Sequence, residues 1–297
     1  MTDYTNVSAR AMLVQLHVST WTARKFDKGA TAQVNTKNAA SSKAGRYNKY
    51  LLAGAKEHEA LLAACEMLRD VHYGQTLPWS DKGSRLLPTA NFFQYSETMR
   101  KYFASASEKL AAFVDAYPSL IDAAEKRDTA LGELFNRAEY PKPGDVRHRF
   151  SWTISYDKVP DGDFRVDLPA DQLATIAAEV EARSASATQE AMRGAWERLA
   201  EAVARIHKAS QPDGVVRGTL IENARTVCDV LGRLNVAGDE RLEVMRVRVE
   251  RELAQLDLAD LRKDDALRAD TATKAKRILD AMSEYGFAPP VKAEAAA

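Results

Sequence analysis

The stretch "MRGAWERLAEAVARI" (residues 192–206) decides the fold class, because its apolar residues recur at alternating spacings of four and three. This spacing places them on one stripe of a helix. The same spacing returns in "LIENARTVCDVLGRL" (220–234). Short breaks between such helices predict antiparallel neighbours, and so a bundle of elongated helices over residues 169–286. The two stripes consist of Met192, Trp196, Leu199, Val203 and Ile206, and of Leu220, Ala224, Val227, Leu231 and Leu234.

A β signal interrupts this helical pattern once. "FSWTISYDKV" (150–159) alternates large apolar and small polar residues, which is typical of a half-buried strand. "PDGD" (160–163) supplies turn residues, and "FRVDL" (164–168) alternates again. We therefore expect a β-hairpin at about 149–168, inserted into a mostly α protein.

Residues 1–148 predict three or four helices and a basic segment. Helical periodicity runs over about 46–73, 90–117 and 119–136, with Pro118 as an interruption. "MLVQLHV" (12–18) is too short to separate strand from helix, and residues 30–45 are typical of a loop or a weak helix. "QTLPWSDKGSRLLP" (75–88) indicates a loop, since it contains two prolines and a glycine.

The pattern divides the chain into four parts, although the two helical regions could also share one core. These are an N-terminal helical region (1–148), the hairpin (149–168), a C-terminal bundle (169–286) and a disordered tail (287–297). No internal repeat at a fixed period is present.

Composition and motifs narrow the function. The 297 residues include only two cysteines, 163 positions apart, and this spacing matches neither a disulfide framework nor a metal site. The sequence shows no signal peptide and no membrane span, so we expect a cytoplasmic protein. It also lacks the phosphate-binding, dinucleotide-binding and hydrolase motifs, and no cofactor or catalytic residue is predicted.

One constellation resembles a metal site but cannot form one. His58, Cys65 and His72 are seven residues apart on a predicted helix. Successive members are then about 10 Å apart along the axis, whereas zinc needs all its ligands within about 2.3 Å. We expect a packed cysteine between two half-exposed histidines and no metal.

The charge distribution gives the clearest functional signal. The chain is neutral overall, yet residues 1–56 hold nine Lys and Arg against two carboxylates. Aromatic residues are interleaved with these cations, which is the composition that binds phosphates and stacks on bases. Alternatively, Trp21, Tyr47 and Tyr50 pack in the core, with the two tyrosines on one helical stripe, and the cations are solvated or pair with the acidic C-terminal half. The candidate nucleic-acid-binding residues are Arg24, Lys25, Lys28, Lys37, Lys43, Arg46, Lys49, Trp21 and Phe26.

Several strings together resemble an uncharacterised family of tailed-phage and prophage proteins, in the same order along nearly the whole chain. They are "WTARKFDK" (21–28), "AGRYNK" (44–49), "TLPWSDKGSRLLPTANFFQY" (76–95), "RHRFSW" (147–152), "DFRV" (163–166) and "LIENARTVCDVLGRLN" (220–235). The resemblance implies a phage or prophage origin and the cytoplasm of a bacterial host. It implies no activity and no site residues.

These observations favour a non-enzymatic phage accessory protein that binds DNA or RNA through its basic N-terminal segment. The heptad-like stripes favour the alternative, a helical scaffolding or adaptor protein with a phage or host protein partner or a second copy of itself. An enzyme with an unrecognised site is the third hypothesis.

Overall fold

In a computed structural model of the protein, the structure describes residues 7–79, 83–126, 131–161 and 169–287. The described residues are mostly helical, which confirms the predicted class. The strands are β1 (Ala11–Ser19), β2 (Arg24–Phe26), β3 (Asn48–Tyr50), β4 (Leu77–Pro78), β5 (Arg85–Pro88) and β6 (Ser151–Lys158). The helices are α1 (Lys28–Lys37), α2 (Lys56–Gly74), α3 (Phe92–Glu125), α4 (Pro143–Val146), α5 (Ala170–Ala209), α6 (Leu220–Leu234), α7 (Glu240–Glu252), α8 (Leu258–Lys263) and α9 (Asp265–Glu284). Within the described ranges, no helix is long and apolar enough to cross a membrane.

The β structure is more extensive than the single predicted hairpin. Strands β4, β5, β1 and β6 form one sheet in that order, and β2 pairs with β3 in a separate two-stranded ribbon. The first predicted hairpin strand is present as β6, and its described neighbour is β1. The predicted second strand (164–168) and nearly all of the predicted tail (287–297) lie outside the described residues. The expected loop at 75–88 contains β4 and β5, because Leu77 and Leu86 pair across a ladder and are both fully buried.

The chain forms two compact units that are discontinuous in sequence, whereas the sequence analysis divides the chain at about residues 148 and 168. Unit 1 comprises Met1–Gln15, Tyr73–Tyr95 and Ser155–Ala297. Unit 2 comprises Leu16–His72 and Ser96–Ile154.

Unit 1 is built on the two heptad-like stripes. Helix α5 packs on α6 and α9, and its stripe residues Met192 to Ile206 are buried. The indole Nε1–H of Trp196 donates to Asp239 Oδ2 at 2.9 Å, inside this core. The stripes are therefore the intramolecular core of unit 1, since α5 uses its apolar face against neighbouring helices of the same unit.

Unit 2 has an aromatic core around α2 and α3. Phe113 and Tyr117 are fully buried, and the ring of Phe113 packs against those of Tyr117 and Phe150, with Leu61 and Cys65 in the same cluster. Pro118 does not end a helix as expected, and α3 continues through it. Burial of Tyr117 and Ile121 on either side of the proline offsets the loss of one backbone hydrogen bond.

The N-terminal part of unit 2 departs most from the helical expectation. Residues 48–50 form strand β3, so the helix predicted from residue 46 begins only at Lys56. Residues 28–37 form helix α1, and the Asp27 side chain caps it by accepting a hydrogen bond from the backbone N–H of Ala30 at 2.9 Å. The ambiguous stretch 12–18 lies in strand β1.

Candidate nucleic-acid interface

The basic segment contains an antiparallel ribbon of two short strands. Arg24 lies opposite Tyr50, Lys25 opposite Lys49, and Phe26 opposite Asn48. Side chains alternate between the two faces of a strand. Arg24, Phe26 and Tyr50 therefore share one face of the ribbon, and the two lysines share the other.

Lys49 anchors this ribbon to the body of unit 2. Its side chain is only 3% exposed, and Nζ lies 2.9 Å from Asp27 Oδ2 and 2.8 Å from Glu139 Oε2. The same ammonium donates a hydrogen bond to the Leu134 carbonyl at 2.7 Å. Burial disfavours the charge, but hydrogen bonds to both carboxylates outweigh it and raise the pKa of Lys49. The predicted binding residue Lys49 is thus an internal counter-charge, with its donors directed to protein oxygens.

The ring of the predicted residue Trp21 is partly buried against the aromatic core. The ring centroid lies 6.0 Å from that of Tyr117 and 5.9 Å from that of His58, both in edge-on geometry. The Trp21 carbonyl lies 2.9 Å from Nε2 of His58. Since a carbonyl can only accept, Nε2 of His58 carries the proton.

Two guanidinium–aromatic pairs lie on the surface of unit 2. Cζ of Arg24 lies 4.9 Å from the centroid of the Tyr50 ring, and Cζ of Arg46 lies 4.6 Å from that of Phe26. Both distances are within the range of cation–π attraction. Tyr50 is 50% exposed and Phe26 38% exposed, so the rings remain accessible. We call Arg24, Phe26, Arg46 and Tyr50 the stacked face.

The other predicted cations are exposed on the opposite face of the ribbon, along α1 or just after it. Lys25 is the central residue of β2, Lys28 begins α1, Lys37 ends α1 and Lys43 follows it. Because α1 has ten residues, its two ends are about 15 Å apart. In the part of the chain that the structure describes, none of Lys25, Lys28, Lys37, Lys43, Arg24 and Arg46 forms an ion pair.

A groove of about 660 Å³ adjoins the stacked face within unit 2. Arg24 and Tyr50 contribute to its wall, and α2 contributes His58, Glu59, Leu62, Glu66 and Arg69. The wall also includes Ala23, which is buried and has a left-handed φ of 53°. The Ala23 carbonyl accepts a hydrogen bond from the Leu51 N–H at 2.8 Å, which holds the start of the ribbon in this strained conformation.

Two side chains of α2 at this groove are held by backbone carbonyls. His58 contacts the Trp21 carbonyl, and burial lowers the pKa of its imidazole. Arg69 donates to the Val18 carbonyl at 3.3 Å, which orients its guanidinium. Cys65 is buried on α2 as expected, but His58 and His72 are buried too, although half-exposed histidines were expected, because that face of α2 packs into the core. No group of three metal-ligating side chains occurs in the described ranges.

Sequence reasoning missed Tyr50 as a surface residue. Tyr47, Tyr50 and Leu51 fit a helical stripe, which favoured burial of both tyrosines. In the structure these residues belong to or flank β3, and the two tyrosines are exposed while Leu51 is buried. The available signal is the order of polar and aromatic residues in "RYNKY" (46–50), which is too short to separate strand from helix.

Comparisons of the chain with protein-family models, with curated proteins and with solved structures found no match. The function is therefore inferred from the stacked face and the exposed lysines near it.

Proposed function

We propose that the protein binds nucleic acid through the stacked face and the exposed lysines beside it. The observation that carries the proposal is the combination of accessible aromatic rings with cations that have no carboxylate partner among the described residues. Such cations bind phosphates and release condensed counterions, while aromatic rings and guanidinium planes stack on bases.

The pairing of Lys49 explains why the rest of the segment is available. The nearby carboxylates Asp27 and Glu139 are both engaged by Lys49. Among the described residues, the remaining cations of the segment form no ion pair with either half of the chain. Their positive potential is therefore directed to solvent, which favours an anionic partner.

The observation that favoured a scaffolding or adaptor protein no longer supports that alternative. Its support was the pair of heptad-like stripes, and these pack into the core of unit 1, with only Leu220 and Val227 partly exposed. We retain nucleic-acid binding as the proposed function. We further propose the setting that the family resemblance implies, a phage accessory protein in the bacterial cytoplasm.

The direct test is a binding titration with labelled DNA and RNA, single-stranded and duplex, at two salt concentrations. The test variant replaces Lys25, Lys28 and Arg46 with Ala. The control variant replaces Lys109, Lys263 and Lys276, which are equally exposed and form no ion pair among the described residues, so both variants lose three charges.

Affinity should fall strongly in the test variant and little in the control. The slope of log affinity against log salt should also decrease by about one for each phosphate contact removed. Equal losses in both variants, or no binding by the unmodified protein at about 50 mM salt, would disprove the proposal, since phosphate contacts are strongest at low salt.

A further inference from the structure

We infer that the groove beside the stacked face holds one unstacked base of a single strand, with Tyr50 as its stacking partner. This inference rests on the proposed function and specifies its ligand as single-stranded nucleic acid. It makes the groove a base site and the surrounding lysines the phosphate site.

The Arg24–Tyr50 pair provides a stacking surface at the groove. Both residues belong to the wall of the groove, and half of the Tyr50 side chain is exposed. The guanidinium lies over the ring at 4.9 Å and holds the pair in a stacked arrangement. A base entering the groove can extend this stack on either the phenol ring or the guanidinium plane.

The charges of the groove indicate which part of a nucleotide enters it. Glu59 and Glu66 are exposed carboxylates of α2 on the groove wall. Arg24 and Arg69 on the same wall are directed to the Tyr50 ring and the Val18 carbonyl, so the carboxylates are the free charges that a ligand meets. They repel a phosphate, but they can accept hydrogen bonds from the exocyclic amino groups of cytosine, adenine and guanine. Leu52 and Leu62 provide apolar wall for the ring, and the volume is within the usual range of small-molecule sites. The chemistry of the groove therefore suits a base better than a phosphate.

The second guanidinium–aromatic pair extends the site along the ribbon. Phe26 is the diagonal cross-strand neighbour of Tyr50 on the same face. Diagonal neighbours are separated by about 7–8 Å, which leaves room for two adjacent bases to stack separately. Lys28 at the start of α1 and Lys25 on the other face of the ribbon lie outside the groove, where they are available to phosphates of the same strand as it leaves the ribbon.

Duplex nucleic acid cannot use this arrangement. Its bases are stacked on one another and their amino groups are paired, so neither the ring of Tyr50 nor the carboxylates of α2 can reach them without base extrusion. The inference therefore predicts a preference for single strands that depends on the ring of residue 50.

The experiment measures fluorescence anisotropy of labelled oligo(dC), oligo(dT) and a hairpin duplex of equal length with three variants of the full chain. Tyr50→Ala should weaken binding of oligo(dC) by roughly 5- to 150-fold, the range expected for loss of one stacked base, and leave duplex binding within about twofold. Tyr50→Phe should retain the affinity of the unmodified protein, because stacking requires the ring and not the hydroxyl. The double variant Glu59→Ala/Glu66→Ala should lose the preference for oligo(dC) over oligo(dT), since thymine offers no amino group to either carboxylate.

The outcomes separate this inference from the proposed function. Equal affinity for single strands and duplex, unchanged by Tyr50→Ala, would overturn the base site while the lysine-dependent binding stands. Loss of binding to all three probes in Tyr50→Phe, a variant that retains the ring, would also overturn it. No binding of any probe by the unmodified protein would overturn both proposals. Circular dichroism of each variant verifies that the fold is retained.

Discussion

Lys25 and Lys49 lie directly opposite each other across the β2–β3 ladder, yet Lys49 is buried between two carboxylates and Lys25 is exposed to solvent. The two residues share a face of the ribbon and have the same side chain. Their difference arises from Asp27 and Glu139, which approach only Lys49. One lysine therefore stabilises the ribbon, and the other is available to an external anion.

The first prediction uses this matched pair. Lys49→Met should lower the free energy of unfolding by about 3 kcal/mol, because it leaves two largely buried carboxylates without their cation. Lys25→Met should change stability by less than about 0.5 kcal/mol, as is usual for exposed positions. Urea denaturation followed by circular dichroism measures both values. Equal stability of the two variants would show that the Lys49 ion pairs do not anchor the ribbon.

The second prediction concerns the pH range in which the anchor holds. The backbone N–H of Ala30 and the Lys49 ammonium lower the pKa of Asp27 below its ordinary value of 3.8, so its contribution is complete above about pH 4. That contribution is lost as the pH falls through the lowered value. The pKa of Lys49 is raised, so its effect on stability has the opposite pH dependence. The contribution of Lys49 is complete below its ordinary pKa of 10.5 and is lost as the pH rises through the raised pKa.

Hydrogen exchange of the β2–β3 amides should therefore be slow between about pH 4 and pH 10, after correction for intrinsic rates, and should accelerate outside this range. Asp27→Asn should remove the acid-side acceleration and leave the alkaline one. If hydrogen exchange still accelerates at low pH in Asp27→Asn, another carboxylate is responsible for the acceleration.

The third prediction concerns the end of α1. Ala39 has a left-handed φ of 50°, its N–H donates to the Thr36 carbonyl at 3.1 Å, and the Ala40 N–H donates to the Asn35 carbonyl at 2.8 Å. This is the Schellman arrangement, in which glycine is the favoured residue. Ala39→Gly should stabilise the protein by about 1 kcal/mol, because glycine adopts this φ without steric cost.

Ala40→Gly is the matched control for Ala39→Gly. Residue 40 does not have positive φ, so glycine there should be neutral or slightly destabilising. Thermal unfolding of the two variants compares them directly. A lower melting temperature for Ala39→Gly than for Ala40→Gly would contradict the assigned backbone conformation.

The fourth prediction tests the polar contact inside the core of unit 1. Asp239 accepts hydrogen bonds from the N–H groups of Arg241 and Leu242 at the start of α7, and it also accepts the buried indole N–H of Trp196. Asp239→Ala should cost about 2–4 kcal/mol, since it removes a helix cap and leaves a buried donor unpaired.

Asp264 provides the control for Asp239, because it caps α9 through Ala266 and Leu267 but is exposed and contacts no indole. Asp264→Ala should cost only about 1 kcal/mol. Chemical denaturation, together with the fluorescence of Trp196, distinguishes the two effects. Costs of equal size would mean that the indole hydrogen bond contributes little.

The parts of the fold that were predictable are those with a long local pattern. The stripe from Met192 to Ile206 repeats over four helical turns, and "SWTISYDK" (151–158) alternates over a whole strand. Strands β2 and β3 have three residues each, and their pairing depends on partners more than twenty residues away. Within so few residues Tyr47, Tyr50 and Leu51 match a helix equally well, so the local sequence could not separate the two structures.

The sequence predicts the positive charge of the candidate site, but it does not predict which of its side chains point to solvent. The excess of lysine and arginine in residues 1–56 is visible in the sequence and predicts an anionic partner. That Lys49 points inward depends on Glu139, ninety positions further along the chain. No local signal separates Lys49 from Lys25, because both lie in short polar stretches with an aromatic neighbour.

The alternation of side chains in β3 has a consequence for length variation. Lys49 is buried and Tyr50 is exposed only because they occupy successive positions of one strand. Inserting a single residue within 48–50 would exchange their faces, bringing a phenol ring towards Asp27 and Glu139 and an ammonium towards the groove. Residues 41–45, between the Schellman turn and Arg46, lie outside the ladder and can change in number without altering that phase. Insertions and deletions between the helix and the strand should therefore be tolerated, whereas those inside β3 should abolish the proposed nucleic-acid binding.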